Sequence, residues 1–192
     1  SMDFDGVSDI KEMKAKVERQ HATAEGSFDV KLGAGGIRDV EFVVQAFQLL
    51  HGGRVPQVRG RSTAAAIGAL AEVELLGAEA AEGLLGAYRF LRRVENRLQM
   101  EDERQTHRVP AAPEARERLA RALGFRGEGA REAFDERLEA ERRRVRERFD
   151  ALFSEGDREL ILDLFARHAG RLLSSGSSRS MLEELAERFA RH

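Results

Sequence analysis

The residues best placed to do chemistry begin at Lys31, where Lys-Leu-Gly-Ala-Gly-Gly runs to Gly36 and opens a helical pattern. Backbone amides at a helix N-terminus attract anions, so a glycine turn beside a lysine is a candidate phosphate site. The spacing alone is weakly specific. Arg38 stands where the third glycine of a dinucleotide fingerprint would fall, no Gly-Lys-Ser/Thr of a P-loop occurs, and glycines needed merely for a tight turn are the simpler reading. Nucleotidyl transfer needs carboxylates held close together around two metal ions. The nearest approach is Gly26-Ser27-Phe28-Asp29, and Lys31 occupies the place of a second acid. Glu101-Asp102-Glu103 reads as a solvated helix end. His21, His51, His107, His168 and His192 lack paired metal spacing, and no Ser/His/Asp set is suggested locally. By its own residues the chain reads as non-catalytic.

The elements that must position these residues are mostly helical. Of 192 residues 34% are charged, and Ala, Leu, Glu and Arg dominate, a helix-forming composition. Ser8 caps an expected amphipathic helix to about His21. Ser27 to Leu32 alternates apolar Phe28, Val30 and Leu32 with polar neighbours, the period of a half-buried strand. A single strand cannot satisfy its backbone, so it is expected to pair with a sheet outside this chain or with a second copy. Ile37 to Leu50 is apolar over most of its circumference, with Arg38, Glu41, Gln45 and Gln48 as one polar stripe. Further helices are expected from Ser62 or Thr63 to Gly77, from Ala78 to Met100, from Pro113 to Gly124 and from Ala130 to about Gly156, with two more beyond. Arg92, Glu95, Gln99 and Asp102 form a second stripe that could face the first.

Thirty-two basic against 34 acidic residues give a net charge of −2, no general field for a nucleic acid or an anionic membrane. Arg142-Arg143-Arg144-Val145-Arg146 reads as a solvated salt-laced face, with Glu139–Arg143 and Arg143–Glu147 at i,i+4 and no interleaved aromatics. With no cysteine, disulfides and thiolate metal sites are excluded. No apolar run approaches a membrane span and no signal peptide opens the chain, so a cytoplasmic fragment is expected.

Four blocks carry a resemblance. Asp29-Val-Lys-Leu-Gly-Ala-Gly-Gly-Ile-Arg-Asp-Val-Glu-Phe-Val-Val-Gln45, Gly52-Gly-Arg-Val-Pro56, Phe90-Leu-Arg-Arg-Val-Glu-Asn-Arg-Leu-Gln99 and Gln105-Thr-His-Arg-Val-Pro110 follow one another. Together they resemble the bifunctional glutamine synthetase adenylyltransferase/adenylyl-removing enzymes over about Ile10 to Phe153, and more the N-terminal, adenylyl-removing half. The resemblance implies an all-α, up-and-down helical bundle of the kind that follows a nucleotidyltransferase domain, with one short N-terminal strand left from a neighbouring sheet. Ser1-Met2 reads by itself as a cloning remnant; the resemblance implies 3–36 as the end of the catalytic domain, 37–156 as the bundle and 157–192 as a helical extension.

For the parent enzyme the resemblance implies Mg²⁺ with ATP, ADP and phosphate, and as partners glutamine synthetase, a PII signalling protein and the enzyme's own nucleotidyltransferase domains. This chain is expected to be inactive alone, because the metal-binding carboxylate motif is absent, and to hold no cofactor tightly. Lys31, Gly33, Gly35 and Gly36 match the family's nucleotide junction, with Lys31 either a charge near phosphate or a solvent-facing strand lysine. Arg38, Asp39 and Glu41 either line the cleft or, preferably, latch the helices. Glu95, Asn96 and Gln99 are expected in a buried polar network. Gln105, Thr106 and His107 lie in a loop that either touches a partner or serves as cap and turn. The implied role is to position the catalytic domain and dock protein substrate or regulator. A structural spacer, or the helical domain of a related PII uridylyltransferase-type enzyme, is the alternative.

Overall fold

A computed structural model describes residues 27–101 and 107–154, all within one compact unit, Ser27–Leu164. The expected Ser8 helix, the helices beyond residue 156, and Gln105 and Thr106 lie outside the described residues. Five helices carry the fold: α1 (Ile37–His51), α2 (Thr63–Glu72), α3 (Ala78–Glu101), α4 (Pro113–Ala122) and α5 (Ala130–Ser154). Two short strands, β1 (Phe28–Asp29) and β2 (Arg108–Val109), pair antiparallel with Phe28 opposite Val109.

That pairing corrects one expectation. The N-terminal strand finds its partner inside this chain, and Val30 N–H adds a further bond to the His107 carbonyl at 2.9 Å. A two-residue partner carries no alternation of its own, so the sequence held no sign of it.

Helix α3 buries Leu84, Ala87, Leu91, Val94 and Leu98, alternating three and four residues apart, one stripe that packs against α5 and α2. On α5 the stripe runs Ala130, Phe134, Leu138, Glu141, Val145 and Phe149, all buried. A glutamate thus stands at a core position. Its Oε1 lies 2.6 Å from Arg137 and its Oε2 2.5 Å from Arg144, one turn to either side, which pairs the charge. Helix α1, expected to be buried on several sides, packs on α2, α3 and α5. Each fully buried Leu or Phe in this core contributes about 1.5–3 kcal/mol.

Local signals set the ends. Ser62 Oγ accepts from Ala65 N–H at the start of α2, Pro113 opens α4, and Pro56 opens a 3₁₀ turn, Pro56–Val58. Helix α2 stops at Glu72 rather than at Gly77, because Glu74 turns left-handed (φ 59°) and the amides of Leu75 and Leu76 close back onto the Leu70 carbonyl. Among the described residues no helix is long and apolar enough to cross a membrane.

The glycine turn before α1 is the tightest join. Gly35 has φ +78°, and a Cβ there would lie 2.4 Å from the Arg142 carbonyl oxygen of α5. Gly33 has no room either, since a Cβ would meet the Phe28 ring and the Asp29 carbonyl. Gly35→Ala is therefore expected to lose about 2 kcal/mol or more in urea unfolding, through left-handed strain and overpacking. Gly68→Ala, inside α2 with nothing within 4 Å of its Cβ, is expected to gain about 0.5–1 kcal/mol. Equal midpoints for the two variants would contradict this account of the turn.

Candidate functional site

Asp29 organises the turn: its Oδ1 accepts from the amides of Lys31 (2.9 Å) and Leu32 (2.8 Å). Gly33 N–H donates to the Asp29 carbonyl, Gly36 to Gly33, Ile37 to Val30 and Arg38 to Lys31. Asp39, on the first turn of α1, reaches back so that its buried Oδ2 accepts from Gly35 N–H at 2.6 Å. The acid thus ties the first turn of α1 back to the residue before N-cap Gly36, which has no side chain to cap the helix itself.

Of the two readings of these glycines, the described residues form the tight turn. The amides of Gly33, Gly35, Gly36, Ile37 and Arg38 all donate within the protein, leaving none of these five for an anion. Nor is there a group of three or more His, Asp or Glu among the described residues that could hold a metal ion. These five amides therefore form no cradle of their own for a phosphate.

The two polar stripes do come together, over half their length. Glu41 on α1 lies within electrostatic reach of Arg92, Arg38, Lys31 and Glu95. Burial pushes its carboxyl above the ordinary value of 4.5, the Glu95 charge pushes the same way, and the three cations pull against them. Glu95 is the deeper acid, its side chain only 3% exposed, with Arg92 Nη1 2.7 Å from Oε2. His107 Nδ1 stands 3.2 Å from Glu95 Oε1 without a hydrogen bond between them. Lys31, Arg38, Glu41, Arg92, Glu95 and His107 thus form one cluster drawn from the turn, α1, α3 and the residue before β2.

The other expected members part company. Asn96 and Gln99 are exposed, which corrects the buried network expected of them: their positions on α3 face away from the stripe of Leu91, Val94 and Leu98. Gln48 leaves its stripe to hold the 3₁₀ turn, donating to the carbonyls of Val58 (2.7 Å) and Gly60 (2.9 Å).

Two residues were missed. Glu141 was legible as the missing step in the α5 apolar stripe between Leu138 and Val145. Arg142, expected on a solvated face, is half-buried, with its guanidinium 3.7 Å from the Phe28 ring centre and its Nε donating to the Ala34 carbonyl. Burial pulls its pKa below the ordinary value. The α5 ion pairs also differ from the expected i,i+4 set, since Glu139 holds Arg142 (2.7 Å) and Arg146 (2.6 Å).

Two predictions follow from this cluster. The folded chain binds the Glu41 proton more tightly than the unfolded chain, so this group favours folding below about pH 4.5 and the contribution is lost as pH rises through the raised folded value. Glu41→Gln is expected to gain stability relative to wild type between about pH 4 and about pH 7, read from urea midpoints; a difference constant with pH contradicts it. Arg92→Ala is expected to cost about 3 kcal/mol, because it strips the buried Glu95 of its closest cation. Glu95→Gln should cost nearer to about 1 kcal/mol, since the Arg92 side chain is 44% exposed and returns to water. The reverse order would overturn that asymmetry.

A family model described as GlnD PII-uridylyltransferase matches residues 10–153. The bifunctional glutamine synthetase adenylyltransferase/adenylyl-removing enzyme of Thioalkalivibrio sulfidiphilus is 43% identical over 153 residues, 80% of this chain and 16% of the relative. The enzyme of the same name from Nitrosococcus oceani gives the same figures. That of Stenotrophomonas maltophilia is 38% identical over 183 residues, 95% of this chain and 19% of its own. The chain therefore spans less than a fifth of the length of these relatives. With a helical fold, a match over most of its residues and relatives of one name, this chain belongs to the GlnD PII-uridylyltransferase family, in the form found within bifunctional glutamine synthetase adenylyltransferase/adenylyl-removing enzymes.

Proposed function

We propose that this chain is the non-catalytic helical domain of an enzyme that adenylylates and deadenylylates glutamine synthetase, and that it docks the protein substrate while positioning the catalytic part. In this reading the longer protein carries the chemistry elsewhere, with Mg²⁺ and ATP, ADP or phosphate as its reactants. Two features support a positioning role. The turn at Gly33–Gly36 is welded to α5 at Arg142, and Glu41 is kept half-buried where its ionised form costs stability.

The observation that carries docking is on α3. Met100 is 78% exposed, the large hydrophobic residue left in water among the described residues, with exposed Asn96 one turn before it and exposed Gln99 next to it in sequence. An exposed apolar anchor within a polar rim is the usual make-up of a protein contact. The uridylyltransferase description of the family supports a second reading, in which PII is the protein docked.

Calorimetric titration of the 192-residue chain against glutamine synthetase, adenylylated and unmodified, and against PII tests these readings. Binding that prefers adenylylated glutamine synthetase and weakens about tenfold in Met100→Glu, with the urea midpoint unchanged, is the expected outcome. Binding to PII alone favours the second reading. No binding to any of them by the folded chain leaves the spacer.

A further inference from the structure

A cleft of about 530 Å³ lies away from the α1–α3 cluster, between α3, the loop after α4 and α5. Helix α3 contributes Gly86, Arg89, Phe90 and Arg93 on successive turns, the loop gives Phe125, and α5 gives Arg137. Its volume falls in the range of small-molecule sites. Three guanidiniums and two phenyl rings line it, and no carboxylate does among the described residues.

Arg89 and Arg93 stand at i,i+4, where like charges repel and destabilise a helix. Neither has an acid three or four residues away on α3: those neighbours are Leu85, Gly86, Arg92, Phe90, Asn96 and Arg97. Arg93 spends one N–H on the Leu123 carbonyl at 2.9 Å, which fixes the guanidinium against the loop. Arg89 is exposed. Across the cleft Arg137 lies over the Phe90 ring, 5.7 Å from its centre, and is steadied by Glu141. Phe125 meets Phe134 edge-on at 5.7 Å, which holds its ring in place at the loop.

Gly86 supplies a separate observation. It sits in the interior of α3, where glycine is a poor helix former, yet nothing lies within 4 Å of where its Cβ would be. Packing therefore does not require a glycine. Gly83, one turn earlier, is different, because the Arg144 side chain fills its Cβ position at 2.9 Å. The bare backbone at Gly86 keeps the wall of the cleft open.

We propose that this cleft binds a small phosphate ester whose organic part is planar and apolar on its faces. The phosphate would take the guanidinium forks of Arg89 and Arg93, which match an oxyanion in a bidentate way, and the planar part would lie against Phe90 and Phe125. Binding would set a negative charge between Arg89 and Arg93, beside which no carboxylate lines the cleft among the described residues.

The test is calorimetric titration of the full chain at low ionic strength with inorganic phosphate, phenyl phosphate and AMP. Saturable binding of phenyl phosphate, tighter than inorganic phosphate, is expected. Arg89→Ala should weaken it about tenfold, the loss of one charge-assisted contact. Gly86→Leu, which fills the opening with a better helix former, should abolish binding while raising the melting temperature, so that lost binding is not lost folding. Tighter binding of AMP than of phenyl phosphate would support the proposal and mark nucleoside phosphates as the class, whereas weaker binding of AMP would support a smaller aryl ester. No binding of any probe, phenyl phosphate no tighter than inorganic phosphate, or affinities unchanged in both variants would overturn it.

Discussion

The Arg142 carbonyl occupies the space where a side chain on residue 35 would begin, and much of the described unit follows from that contact. It requires glycine at 35 in a left-handed conformation, and hence a turn that only a short, hydrogen-bonded path can make. Asp39 reaches back to fix the Gly35 amide, Asp29 fixes the amides before it, and the Arg142 guanidinium covers Phe28. One residue of α5 thus grips β1 with its side chain and the turn with its backbone. The direction in which α1 leaves the turn is set by that grip, and with it the position of Glu41.

Charge is distributed along α5 and α3 by depth more than by spacing. Among the described residues Glu141 and Glu95 are the acids taken furthest from water, and each has an arginine three residues away on its own helix whose guanidinium stays half in solvent. The long arginine stems let a buried carboxylate be neutralised from the surface. Glu41 is the exception, an acid between helices whose cations come from several elements. Its protonation is accordingly displaced by burial.

The helices were legible because their apolar stripes are long and regular; α3 and α5 begin within the chain where periodicity places them. What the sequence could not display was contact between distant short segments. Arg108-Val109 has no pattern of its own, so β1 read as lacking a partner. At the glycine turn spacing left a tight turn and a phosphate site both open, because it shows where amides begin and not where they donate. Asn96 and Gln99 share a helix with Glu95 but not its face, and a stripe judged by charge alone ran past the apolar stripe that decides burial. The ion pairs of Glu139 chose Arg142 and Arg146 because Arg142 is already held at Phe28, a constraint set by tertiary packing.

The pairing of Phe28 with Val109 joins segments separated by all of α1, α2 and α3. Closing so long a loop has an entropic cost that two residue pairs cannot offset alone, so this miniature sheet has to wait for the helices to bring its strands together. Two strands of two residues each thus tie the entrance of α1 to the segment that opens onto α4, a clasp that depends on the helices between them for its alignment.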